Sequence, residues 1–115
     1  MKVNVNEEVK AITGDTMKFV RDNGEEFYLP LYEVIMNSLI NEEAKVEKSV
    51  DEKRKQYEIS HQAIQASKGD GIVDFREEEV GIILKWVAKA YNTHIFGYVD
   101  SVLRNGNVEE KTTDK

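Results

Sequence analysis

Two histidines, one aspartate–glycine turn and one basic triplet are the residues of this chain best suited to chemistry. The run Gly69-Asp70-Gly71-Ile72-Val73-Asp74-Phe75-Arg76-Glu77 has the spacing of the second half of an EF-hand loop. With Gly71 at the sixth position, Asp70, Asp74 and Glu77 take positions five, nine and twelve, where calcium expects oxygen ligands. The same register puts Ala66 first and Lys68 third, and an ammonium in the cage opposes the ion. The run therefore reads as a turn, a short strand and an acidic helix start, with no metal site.

His61 falls on the expected buried row of a helix, with no Cys or His at zinc spacing, so it reads as a packed core residue. His94 sits at a corner with Tyr91, Thr93 and Tyr98 close in sequence. These four, with Arg54 to fork a phosphate, are the candidate pocket for a small anionic ligand. Arg54 is the centre of Lys53-Arg54-Lys55, which follows Lys45 and Lys48. Glu42, Glu43, Glu47, Asp51 and Glu52 interleave with that cluster, which reads as a lattice of i,i+4 surface pairs.

Catalysis finds no footing. Ser38, Ser49, Ser60, Ser67 and Ser101 lack a nucleophile elbow, and no glycine-rich phosphate loop is present. Glu77, Glu78 and Glu79 read as a solvated helix start and not as an acid–base pair. No catalytic residue and no cofactor is nominated, and the chain is read as a non-enzyme.

At 115 residues the chain is one domain, able to bury roughly two-thirds of its unfolded surface. The absence of cysteine excludes a disulfide scaffold and fits a reducing cytoplasm. No apolar run approaches a membrane span, and the first residues lack the layout of a signal peptide. A net charge of −6 is poorly suited to coating duplex nucleic acid.

The elements that must position these residues follow from periodicity. Val3 and Val5 alternate with polar neighbours, and Val9 and Ile12 flank Ala11 in a weaker extended run. Segments 17–20 and 25–29 form a hairpin across Asp22-Asn23-Gly24, where Asn-Gly suits a type I′ turn. Phe19, Phe27 and Leu29 supply one face of that small sheet. Pro30 precedes a helix over 31–40 with Leu31, Val34, Ile35 and Leu39 inward. A charged connector over 41–48 follows. Ser49 with Glu52 then caps a helix to about residue 67, its buried row being Val50, Tyr57, His61 and Ile64, with Ala63 nearby. Ile72-Val73 is a link or one more strand. Thr93 caps the last helix, whose stripe is Ile95, Val99, Val102 and Leu103. The fold class is thus α+β: a small N-terminal antiparallel hairpin or meander, then about four α-helices packed as a bundle. Residues 1–106 make the domain and 107–115 a disordered polar tail.

The helix between Asp74 or Arg76 and Asn92 carries two apolar rows. Val80, Ile83, Leu84, Val87 and Tyr91 face the core, while Ile82, Trp86 and Ala90 lie to one side. With few neighbours in so short a chain, Ile82, Trp86 and Ala90 are expected to contact a partner, another copy included.

The positions Tyr57, Ile64, Phe75, Glu77, Glu78, Val80, Ile83, Lys85, Val87, Lys89, Ala90, Tyr91, Gly97, Val99 and Leu103 resemble a loosely defined group of small proteins of tailed bacteriophages and prophages. Arg76 stands where that group has a Ser or Thr cap, and Thr93-His94 replaces a more apolar corner. The resemblance implies a phage origin, the cytoplasm of an infected bacterium and no established activity. It points to an oligomeric binding protein that inhibits a host protein or assists phage assembly. The alternative it implies is an oligomeric trap for a small nucleotide-type defence signal, with an enzyme a distant third.

Overall fold

Val3 and Val5 alternate with polar neighbours, and in the computed structural model, which describes residues 2–40 and 49–108, both are fully buried. The elements run β1 (Lys2–Asn4), β2 (Lys18–Val20), β3 (Glu26–Tyr28), α1 (Leu31–Ile40), α2 (Val50–Ser67), β4 (Ile72–Asp74), α3 (Glu77–Ala90) and α4 (Thr93–Asn105). This is the expected small α+β architecture, with four helices and two small antiparallel sheets among the described residues. The charged connector expected at 41–48 lies outside them.

The strands do not form one meander. β1 pairs with the distant β4, Val3 opposite Val73, while β2 and β3 form their own hairpin with Phe19 opposite Phe27. The apolar link at Ile72-Val73 is thus a strand. Val5 extends the first pairing by donating its N–H to the Gly71 carbonyl at 2.7 Å. The chain from Val5 to Glu7 then crosses the start of α1, where Leu31 donates to the Glu7 carbonyl and Tyr32 to the Val5 carbonyl, both at 2.9 Å. Two first-turn N–H groups that a helix leaves open are satisfied in this way.

The β2–β3 turn is not type I′. Asn23 has no positive φ, and Gly24 alone takes the left-handed region at φ 86°. Gly24 donates to the Arg21 carbonyl at 2.9 Å and Arg21 to the Glu25 carbonyl at 2.8 Å, giving a three-residue loop in which the glycine carries the chain round. The same device recurs at Ala11–Asp15. Gly14 has φ 93° and donates to the Ala11 carbonyl at 2.9 Å, while Ala11 donates to Asp15 at 2.8 Å. Ile12, expected to belong to an extended run, is therefore a loop tip and 95% exposed.

α1 and α4 bury the rows their periodicity assigns: Leu31, Val34, Ile35 and Leu39 on one, Ile95, Val99, Val102 and Leu103 on the other. Asn92, and not Thr93, caps α4; its side chain accepts from the Ile95 N–H at 3.0 Å. α3 packs against α1, α2 and α4, which is more company than a short chain was expected to provide. The tail boundary also moves. Asn107 accepts from the Asn4 N–H at 2.6 Å and donates to the Asn4 carbonyl at 3.0 Å, so its amide acts as one more strand residue on β1. The rest of the expected tail, from residue 109, lies outside the described residues.

Candidate functional site

α2 turns a different face inward from the one its apolar residues suggest. The buried row is Gln56, Ile59, Ser60 and Ala63, and α2 packs with it inward against α1, the small Ser60 and Ala63 favouring close approach. Gln56 Nε2 and Ser60 Oγ are buried with no hydrogen-bond partner within the described chain, a cost of about 1–3 kcal/mol for each such group. The expected buried row points outward instead. Val50 is 72% exposed and Tyr57 68%, His61 is exposed, and Ile64 is half-buried. His61 is therefore a surface residue, its ring stacked on Tyr57 at a centroid distance of 6.1 Å.

Charge on α2 is sorted by side. Asp51 and Glu78 share Lys55, at 3.3 and 2.5 Å, and Glu52 lies 3.6 Å from Lys85 of α3. These carboxylates hold the Lys55 ammonium above its ordinary pKa, the Glu78 hydrogen bond first and Asp51 after it. Glu58 lines a crevice with Arg76 between α2 and α3. Lys53, Arg54 and Lys68 are exposed and make no ion pair among the described residues. At 3.6 residues per turn they share with Val50, Tyr57, His61 and Ile64 an arc of about 100°. The outer face of α2 is thus an apolar and aromatic strip bordered by three cations, on a chain of net charge −6.

The residues expected on the spare face of α3 are not together in solvent. Trp86 is 6% exposed and part of the core, and α3 as a whole packs against α1, α2 and α4. Lys89 and Lys85 lie over its ring, with their ammonium groups 4.5 and 5.3 Å from the centroid. Ile82 is half-buried beside the α2–α3 crevice, and only Ala90 is exposed. Among the described residues, the exposed apolar row lies on α2 and not on α3.

The expected ligand-pocket residues fall in three places. Thr93, His94 and Tyr98 line one cavity of about 520 Å³, together with Lys10, Ala11, Ile12, Gly97 and Ser101. Tyr91 lies instead in a groove with Met36, Asn37, Ile40 and Ala90, its hydroxyl accepting from Asn37 at 3.2 Å. Arg54 is on the outer face of α2. In the first cavity Tyr98 donates to Glu7 at 2.5 Å, and burial, followed by that carboxylate, pushes the phenol pKa far up. Its ring is a fixed wall.

The EF-hand-like run does other work. Asp70 accepts from the Ile72 N–H at 3.0 Å to close a turn, and Asp74 stands opposite Lys2 in the β1–β4 pair. Glu79 is 5% exposed and accepts from the Arg76 N–H at 2.9 Å and the Gln62 amide at 2.8 Å. Among the described residues no cluster of three or more His, Cys, Asp or Glu is placed to hold a metal ion, and no helix is long and apolar enough to cross a membrane.

The chain matches no family model, no curated protein and no solved structure. Function is therefore argued from these surfaces. The exposure of the α2 strip was not legible in its own sequence, since both rows of that helix carry helical periodicity. The available signal was the pair of small residues Ser60 and Ala63, which favours close packing on that side.

Proposed function

We propose that this chain is a non-catalytic binding protein whose contact surface is the outer face of α2. Its partner is another protein presenting an apolar groove rimmed by carboxylates. The observation that carries the reading is the rotation of α2, which buries Gln56 and Ser60 and leaves Val50 and Tyr57 exposed among Lys53, Arg54 and Lys68. Apolar anchors repeating along one side of a helix are what a groove receives, and the cations supply steering and orientation.

A symmetric pairing of two copies through this face fits less well, because it would set cation rim against cation rim. The strip is also only about 27 Å long and about 10 Å wide, whereas a stable contact covers about 800 Å² per side. A groove that wraps the helix and reaches its flanks makes up the difference. Single-stranded nucleic acid is disfavoured because Tyr57 already stacks on His61, leaving one ring face fewer for a base. Inhibition of a host protein or assistance in phage assembly, the roles that the phage resemblance suggests, both fit a helix offered to a groove.

Photo-crosslinking tests this in the cells that make the protein. Benzoylphenylalanine replacing Tyr57 is expected to trap one protein other than this chain, and Lys53→Glu/Arg54→Glu to reduce that adduct at least tenfold. The same probe replacing Tyr28, exposed on the hairpin, is expected to trap nothing comparable. Adducts only with a second copy, only with nucleic acid, or unaffected by the charge reversal would refute the proposal.

A further inference from the structure

The cavity between the first hairpin loop and α4 belongs to neither the core nor the α2 face. Its volume of about 520 Å³ lies in the range of small-molecule sites. Its lining brings two kinds of chemistry. Ala11, Ile12, Gly97 and the Tyr98 ring are apolar, while Lys10, Thr93, His94 and Ser101 bring an ammonium, an imidazole and two hydroxyls. Among the described residues no carboxylate lines it. The nearby Glu7 is engaged by the Tyr98 hydroxyl, and its 3.8 Å separation from the Lys10 ammonium is too long for a hydrogen bond. Lys10 thus forms an ion pair with Glu7 without a hydrogen bond, which leaves its N–H donors open to an occupant.

Two further observations concern the apolar half. Ile12 stands 95% exposed at the tip of the Ala11–Asp15 loop at the cavity edge, where an occupant would cover it. Gly97 lies within α4, where glycine is a poor helix former, and a Cβ built there meets nothing within 4 Å. No crowding inside the chain requires glycine, and any side chain would project into the open floor. Gly81 in α3 is equally open but does not line this cavity, so it is the cavity with its lining that carries the assignment.

We infer that this cavity binds a small organic anion, a flat apolar body carrying a carboxylate or a phosphate. The body lies on the Tyr98 ring between Ile12 and Gly97, and the anionic group meets Lys10, with His94 and Thr93 of the first turn of α4 as further donors; Ser101, two turns on, flanks the apolar body instead. Aryl carboxylates and nucleoside monophosphates share this chemistry, and the test separates them.

The full chain is titrated with benzoate, adenosine monophosphate, adenosine and inorganic phosphate, followed by calorimetry and amide chemical shifts. Binding of benzoate or the monophosphate is expected, with shifts clustered at residues 10–12 and 93–101, and with adenosine and inorganic phosphate at least tenfold weaker. Gly97→Phe should abolish binding by filling the floor. Lys10→Gln, on an exposed side chain, should weaken it at least tenfold and keeps the test open should Gly97→Phe fail to fold. Lys53→Glu/Arg54→Glu should leave these shifts unchanged, which separates this site from the α2 surface. Silence of all four probes at millimolar concentration overturns the inference. So do equal binding of phosphate alone, binding that survives both cavity variants, and shifts confined to α2.

Discussion

At the scale of single residues, three polar or small side chains hold positions that an apolar pattern could not disclose. Asn107 looks like the first residue of a featureless tail, yet its amide exchanges two hydrogen bonds with the backbone of Asn4. A chain ending at Gly106 is therefore expected to melt lower than one ending at Val108. Asn107→Ala should reproduce most of the loss, about 1–2 kcal/mol by chemical denaturation. Gly71, read above only as part of a turn, is also tightly enclosed. It has φ 81°, and a Cβ there would lie 2.5 Å from Asn4 Oδ1 and 2.6 Å from Asn6 Nδ2. Gly71→Ala should thus destabilise by more than the ~1 kcal/mol of an ordinary left-handed glycine replacement, and an equilibrium urea titration reads the difference. Glu79 was read as part of a solvated carboxylate run, but it is buried and bonded. Burial pushes its carboxyl up, while the Arg76 N–H, the Gln62 amide and the Arg76 guanidinium together hold it below its ordinary value of 4.5. A carboxyl depressed in the folded state stabilises the fold at pH above its unfolded value, and that contribution is lost as pH falls through the folded one. Melting temperature should therefore fall on the acid side of pH 4.5, and Glu79→Gln should flatten that limb.

At the scale of elements, legibility followed the contrast between helix faces. α1 and α4 each have one apolar row against a polar back, and the structure buries those rows. α2 and α3 each have two plausible rows, and there periodicity cannot say which neighbour arrives. In α3 the answer is neighbours on both sides, so Trp86 joins Ile83 and Val87 in the core. Trp86→Ala is accordingly expected to behave as a core truncation, costing about 3–5 kcal/mol with no change in the mass measured by light scattering. A change in mass with unaltered melting would restore α3 as the contact surface. The pairing of β1 with β4 was hidden for another reason: strand partners some seventy residues apart leave no local turn signal, whereas the β2–β3 hairpin announced itself through Asp22-Asn23-Gly24. Even there the type I′ turn expected from Asn23-Gly24 gave way to a three-residue loop, because glycine satisfies both geometries. The candidate sites were legible only in pieces. Thr93, His94 and Tyr98 do share a cavity, but its other wall comes from a loop some eighty residues earlier.

At the scale of the whole molecule, α2 buries a mixed row, Gln56 and Ser60 beside Ile59 and Ala63, and turns Val50 and Tyr57 outward, while the carboxylates beside it are drawn towards α3. The result is a cationic strip on an anionic protein, an arrangement that leaves the fold indifferent to the strip and, on the reading proposed above, available for contact. The rotation of α2 is the point on which this depends, and melting temperature tests it directly. Val50→Gln/Tyr57→Gln removes apolar groups from the outward row, while Ile59→Ala hollows the inward one. The double variant should melt within about 2 °C of the parent, as surface changes do. Ile59→Ala should lose on the order of 10 °C, in line with a cost of about 2–5 kcal/mol for a buried truncation. The opposite order, a collapse in the double variant and near-parental melting in Ile59→Ala, would mean that α2 faces the other way and would contradict the account.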